Sequence, residues 1–276
     1  MLPFVALLLI LTKVQCFDFS RIVLPKDTEF FNTTYDTNNK ESFFTDYRRV
    51  LNEDILLPSA TVVRYQYNDT DTLADIMFYA KLTKTSNCRA SYDKLDCPFC
   101  KEILPDAHVV VTYGKNPLGV SGHISVSEDN KTIYVVVRGA ASMRNKITYG
   151  VNEMIQHPFI PNAQVHKGML LALLSIRDTI AQTLDDQLKL HPEYKVVVAG
   201  HSFGAGVASL VAVDIQQQFP QLDSTRLKAR LLGKPRVGNE GYVAYIGDNN
   251  IDLIRYVQYD DGTAHEPSLL KGYLVG

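Results

Sequence analysis

The segment from Lys195 to Gly206, KVVVAGHSFGAG, restricts the fold more than any other part of this chain. Lys195 is followed by Val-Val-Val-Ala, a run that predicts a buried strand over Lys195 to Ala199. Gly200 and Gly204 then bracket His201, Ser202 and Phe203 in a G-x-S-x-G motif, and Val207, Leu210, Val211, Val213 and Phe219 continue at helical spacing. A strand that turns sharply into a helix through such a motif presents the serine Oγ at the strand's C-terminal end, where helix amides point at it. Ser202 is therefore the expected nucleophile of an elbow. The N–H of Phe203, the residue after it, is an expected oxyanion donor. A plain Gly/Ser loop would carry no strand pattern before it and no helix pattern behind it.

Apolar periodicity extends the reading on both sides. Leu73 to Lys84 reads as a helix with Leu73, Ile76, Met77 and Ala80 on one face, Thr72 as N-cap and Asp75 in the capping-box position. Strands follow at Val109 to Thr112, His123 to Ser127 and Ile133 to Val137. Gly168 to Leu190 reads as one long helix whose Leu170, Leu173, Ile176, Ile180, Leu184 and Leu188 form a single buried stripe. After the elbow come a helix to Phe219, a strand at Leu231 to Gly233, a helix near Glu240 to Gly247 and a strand at Leu253 to Gln258. Strands alternating with helices imply an α/β fold with a largely parallel sheet covered on both faces.

With 276 residues and 46% hydrophobic content the chain is long enough for one large core. Its formal charge of −2 and the lack of any Lys/Arg-rich stripe give no reason to expect a nucleic-acid partner. Residues 1–16 run apolar from Leu2 to Leu11 and end in Val14-Gln15-Cys16, which reads as a secretory signal peptide, too short to cross a bilayer of ~30 Å. Sequons at Asn32, Asn68 and Asn130 agree with secretion, and Glu128 to Lys131 reads as a hairpin turn that would display Asn130. Residues 17–71 read as an N-terminal extension ahead of a catalytic domain over 72–276.

Removal of the signal would leave Cys88, Cys97 and Cys100, an odd number for an oxidising compartment. Cys97-Pro98-Phe99-Cys100 is open to a thiol-disulfide oxidoreductase reading, but such sites open a helix directly after a strand, and Tyr92 to Asp96 has no strand pattern. No further Cys or His stands nearby at zinc-ligand spacing, and no metal or cofactor is expected.

From about Tyr92 to Pro267 the chain resembles the fungal class 3 lipases. Val165-His166-Lys167-Gly168 looks like that family's VHxGF segment. Gly200 to Gly206 looks like its GHSLGGA, with Phe203 for Leu. Gly233 to Asn239, GKPRVGN, matches its GxPRVGN closely, and the motifs stand in family order and spacing. The resemblance implies an α/β-hydrolase fold, with a central, mostly parallel sheet flanked by helices. It also implies hydrolysis of carboxylic ester bonds of lipids, triacylglycerols above all, at a lipid–water interface.

The resemblance further implies a site. In this fold the acid follows the nucleophile on a loop after a later strand, and Asp260 to Pro267, DDGTAHEP, resembles the family's DxVPxLP with Asp261 at its aspartate and Asp260 as the neighbouring alternative. Arg138-Gly139-Ala140 resembles the family's RGS, so the amide of Ala140 would be the second oxyanion donor, without the hydroxyl that many members place there. Ala141 to Met154 falls where members carry an amphipathic lid, with an ordinary surface loop as the competing reading. The family also implies a Cys97–Cys100 disulfide, with Cys88 left over. Its catalytic histidine lies several tens of residues beyond its aspartate, whereas here only His265 follows Asp261. His265 sits inside the proline-containing segment and is a poor substitute, and His201 reads as packing. Two readings are open: a secreted lipase-like serine hydrolase, or a lipase-fold chain without turnover that at most binds lipid surfaces.

Overall fold

A computed structural model describes residues 70–87, 93–114, 116–257 and 261–274. The signal-like residues 1–16, the extension up to residue 69, the sequons at Asn32 and Asn68, Cys88 and Asp260 lie outside the described residues.

A six-stranded sheet forms the centre, in the order β1 (His108–Tyr113), β2 (Gly122–Ser127), β3 (Thr132–Val137), β6 (Lys195–His201), β7 (Leu227–Leu232), β8 (Asp252–Tyr256). The β1–β2 and β2–β3 pairings are antiparallel, and β3–β6, β6–β7 and β7–β8 are parallel. A small antiparallel pair, β4 (Met154–Gln156) with β5 (Gln164–His166), stands apart from it. The β2–β3 turn is the one expected: Lys131 N donates to Glu128 O at 3.2 Å, and Asn130 is exposed at the tip.

The central strands read as unbroken apolar runs because both of their faces are covered. Ile133, Val135 and Val137 of β3 and Val196 and Val198 of β6 point into one core, while Tyr134, Val136, Val197 and Ala199 point into the other. That alternation is the period of two of a strand. The first core is roofed by α4 (Lys167–Leu174), α5 (Arg177–Leu190) and α6 (Phe203–Gln218). The second lies under α1 (Thr70–Thr85) and α2 (Pro98–Ile103). Every residue of α6 from Phe203 to Ile215 is buried, as expected of a helix that is apolar all round.

Three expectations are corrected. Helix α1 starts at Thr70, so Thr72 lies inside it and is no N-cap. Its packed face is Phe78, Tyr79 and Leu82, whereas Leu73 is exposed, because the aromatic rings cover more apolar surface than the stripe expected from spacing. The helix expected from Gly168 to Leu190 is two helices. Ser175 and Ile176 interrupt it, with Ser175 Oγ donating to Ala172 O at 2.7 Å and Ile176 N to Leu173 O at 2.9 Å, yet the expected stripe from Leu170 to Leu184 is buried. Strand β7 begins four residues earlier than expected, since Lys228 and Arg230 mask its pattern. Arg230 is buried against Asp252 of β8, with Nη1–Oδ1 at 3.0 Å and Nη2–Oδ2 at 2.9 Å. Such a bidentate pair is ordered, and removing one partner would strand a charge.

Candidate active site

The elbow is present where the sequence places it. Ser202, between β6 and α6, has φ 55° and ψ −130°, a region that side-chain-bearing residues avoid unless their surroundings hold them there. The surroundings do so. Ser202 N donates to Leu232 O of β7 at 2.9 Å, and Ser202 O accepts from Ala205 N at 2.8 Å and Gly206 N at 3.2 Å. The turn closes without room for side chains at either glycine. A β-carbon on Gly200 would lie 2.5 Å from Gly204 O, and one on Gly204 would lie 2.5 Å from Val137 O and 2.6 Å from the carbonyl carbon of Arg138. The start of α6 is thus pressed onto the C-terminal end of β3.

That close approach brings Phe203 beside the 138–142 loop. Arg138 N donates to Ser121 O at 2.8 Å, and a β-carbon on Gly139 would lie 2.9 Å from His201 O. Asn145, buried, organises the rest of the loop: its Oδ1 accepts from Ala141 N and Ser142 N, both at 3.2 Å, and its Nδ2 donates to Leu118 O at 3.3 Å. Among the described residues, neither the Ala140 amide nor the Phe203 amide is spent on a hydrogen bond. Two uncommitted amides on adjoining segments are what an oxyanion needs.

Asp261 follows β8 and caps a 3-10 turn over Gly262–His265, its Oδ1 accepting from Thr263 N at 2.9 Å. A β-carbon on Gly233 would lie 2.8 Å from Oδ2, so the carboxylate sits directly against the chain that leaves β7. Ser202, Gly233 and Asp261 therefore follow the C-terminal ends of three adjacent parallel strands, β6, β7 and β8. Burial pushes the His201 imidazole below its ordinary value, and the charge of Asp261 opposes that shift. Among the described residues no histidine ring hydrogen-bonds Ser202 or Asp261. The His201 ring stands against Gly139. His166 caps α4, its Nδ1 accepting from Met169 N at 3.3 Å.

The Ala141 to Met154 segment is neither a plain loop nor loosely attached. It forms α3 (Met143–Gly150), opened by a capping box in which Ser142 Oγ accepts from Asn145 N. Tyr149 on this helix, one of the apolar residues that a lid would turn toward an acyl chain, stacks on His166 at 5.5 Å and meets the Phe203 ring edge-on at 6.1 Å. Burial pushes its hydroxyl up to about 12, with the charges of Glu266 and Asp261 adding to the effect. The end of α3 is held by Gly168 N, which donates to Val151 O at 3.0 Å, and by an ion pair between Lys167 and Glu153. A β-carbon on Gly168 would overlap Thr148 O. The legible signals were Ser142-x-x-Asn145 and the glycine of Val165 to Gly168.

Cys97 and Cys100 are joined in a disulfide, 4% and 1% exposed, within the core beneath α1. Exchange chemistry requires an accessible sulfur, and this burial speaks against the redox reading. Among the described residues no group of three or more His, Cys, Asp or Glu is arranged to hold a metal ion, and no helix is long and apolar enough to cross a membrane.

Comparison with known proteins agrees with the geometry. The sequence profile of the family described as Lipase (class 3) matches residues 134–270. A lipase of Rhizopus niveus is 32% identical over 207 residues, 74% of this chain and 53% of that protein. A lipase of Rhizomucor miehei is 30% identical over 205 residues, covering 72% and 55%. The chain thus spans little more than half the length of these two relatives. A secreted mono- and diacylglycerol lipase A of Penicillium cyclopium is 28% identical over 248 residues, 84% of this chain and 77% of that protein. Among solved structures, lipase II from Rhizopus niveus superposes with a TM-score of 0.71 at 31% identity, covering 74% of this chain and 78% of that one. A triacylglycerol lipase whose catalytic centre is formed by a serine protease triad superposes at 0.69 and 30% identity, with the same coverage of 74% and 78%.

Proposed function

The chain belongs to the class 3 lipase family, and on that premise we propose that it hydrolyses carboxylic ester bonds of acylglycerols through an acyl-enzyme on Ser202. The observation that carries this reading is the strained Ser202, set at the end of β6 beside two uncommitted amides with Asp261 at the end of the next strand but one. Ser202 Oγ attacks the ester carbonyl, and the Phe203 and Ala140 amides hold the oxyanion, each such donor being worth about 3 kcal/mol. The alcohol leaves, and water then releases the fatty acid from the serine ester. The attack needs a base for the Ser202 proton, the part that an imidazole held by the acid plays in a serine triad. Asp261 Oδ2, which accepts no hydrogen bond among the described residues, is the open acceptor for it.

The competing reading is a lipase-fold protein that engages lipid ester surfaces without turnover. One assay separates the two. Purified protein is tested on tributyrin and on a soluble short-chain ester beside Ser202→Ala. Turnover that vanishes in the variant establishes the hydrolase, whereas equal inactivity of both, with retained adsorption to tributyrin emulsion, establishes the second reading.

We also propose that the protein enters the secretory pathway, as residues 1–16 and the sequons suggest and as the Penicillium protein's description as secreted supports. Recovery from culture medium, with a mobility shift on deglycosylation, is the test; purely intracellular, unshifted protein would refute it.

A further inference from the structure

The segment that follows Asp261 is held by two arginines, and we propose that Arg236 and Arg255 are positioning residues that set the place of the catalytic acid. The inference rests on the reading of Asp261 as that acid. The turn after Asp261 has one tie of its own to the carboxylate, the Thr263 amide. That bond lies within the turn and does nothing to hold it against β7. The connection across is made by two guanidinium groups and one backbone N–H.

Four consecutive carbonyls, from Ala264 to Pro267, are each captured by an arginine. Arg255 takes Ala264 O through Nη2, Arg236 takes His265 O through Nη1, the Arg236 backbone N–H takes Glu266 O at 2.8 Å, and Arg236 Nη1 takes Pro267 O at 3.0 Å. Arg255 also reaches the other side of the acid: its Nε donates to Lys234 O at 2.9 Å, next to the Gly233 that touches Asp261 Oδ2. A single planar group therefore spans the two backbone segments between which the carboxylate sits. Arg236, 1% exposed, belongs to the GKPRVGN motif, which gives that buried cation a task at the site.

The role depends on shape as well as charge. A guanidinium presents several donors in one rigid fork, whereas a lysine ammonium is a point donor on a flexible stem. Lysine at 255 keeps the charge and loses the contacts that Nε and Nη2 make together, and lysine at 236 must meet with one ammonium on a flexible stem both carbonyls that Nη1 takes. The acid would then drift, and a displacement near 1 Å at a catalytic group slows the chemical step by roughly 100-fold.

The experiment compares Arg236→Lys and Arg255→Lys with the wild type and with Arg177→Lys, a control at a part-buried arginine that pairs with Asp214 at 2.8 Å on another part of the molecule. Two quantities are read. Amide hydrogen exchange is followed by mass spectrometry across the chain, and Ser202 labelling by an alkyl fluorophosphonate is followed as maximal rate and half-saturating concentration. The expected result is faster exchange confined to residues 261–267 and a maximal labelling rate lower by roughly 10- to 100-fold at unchanged half-saturation, with neither change in the control. Unchanged exchange in residues 261–267, or unchanged labelling of an otherwise reactive Ser202, would overturn the proposal. Absence of Ser202-dependent labelling in the wild type would instead sink the hydrolase reading. The clamp would then be judged on exchange alone, upheld by a local loss of protection and overturned by none.

Discussion

The carboxylate of Asp261 packs so closely on Gly233 that a β-carbon there would lie 2.8 Å from Oδ2. Gly233 also has φ +55°, so the position needs glycine both for its backbone and for the space. Gly233→Ala is expected to cost about 1–2 kcal/mol from the left-handed conformation alone and to lower ester hydrolysis by roughly 100-fold as the acid is displaced. Urea unfolding and steady-state kinetics on a short-chain ester check the two effects separately. A destabilised variant with wild-type kcat would show that Asp261 does not need this contact.

Ser202 is held at φ 55° by the elbow, so its identity trades stability against chemistry. Ser202→Ala should remove hydrolysis by on the order of 10⁴-fold, because nucleophile and base act as a unit. Ser202→Gly should be equally inactive yet more stable than Ser202→Ala by about 1–3 kcal/mol, since glycine adopts this backbone without strain. Chemical denaturation of both variants decides it. Equal midpoints would mean that the elbow stores no strain at this residue.

Lys234 is 1% exposed, and burial holds its pKa well below the ordinary lysine value, with the charges of Arg255 and Arg236 acting in the same direction. Between that lowered value and about 10.4 the unfolded chain binds a proton that the folded chain does not, so stability contributed at this site rises with pH. The cost of burying Lys234 is therefore absent above the unfolded value, grows as pH falls, and is complete below the folded value. Lys234→Met should raise Tm at pH 7, by about 2–4 °C for each kcal/mol relieved. The gain should shrink as pH approaches 10. A pH-independent gain would place the effect in packing instead of ionisation.

Cys97 and Cys100 are buried and three residues apart. Alkylation of unreduced, denatured protein followed by peptide mapping should spare this pair. Replacing both by serine should cost about 2 kcal/mol, as expected for so short a loop, and leave hydrolysis intact. Free thiols at 97 and 100, or a Cys88 bridge to either, would contradict the pairing.

The sequence alone determined the features whose cause is local. β3 and β6 were legible because strands covered on both faces must be apolar at every position, and the elbow was legible because G-x-S-x-G between a strand and a helix demands a particular backbone. Only the end of β7 was legible, because Arg230 looks like a surface residue until Asp252, 22 positions later, neutralises it. The pause at Ser175–Ile176 changes no apolar spacing, so the buried stripe was visible and the break was not. Tertiary structure decided the rest of the site. Only folding shows that Gly233 makes room for Asp261, that Tyr149 stacks on His166 and meets Phe203 edge-on, and that Arg236 holds carbonyls 29 and 31 residues further on. Helix and strand signals repeat every few residues and leave a periodic trace in the chain. A guanidinium donating to a distant carbonyl leaves none, because every residue type offers the same carbonyl and only packing chooses which one is near.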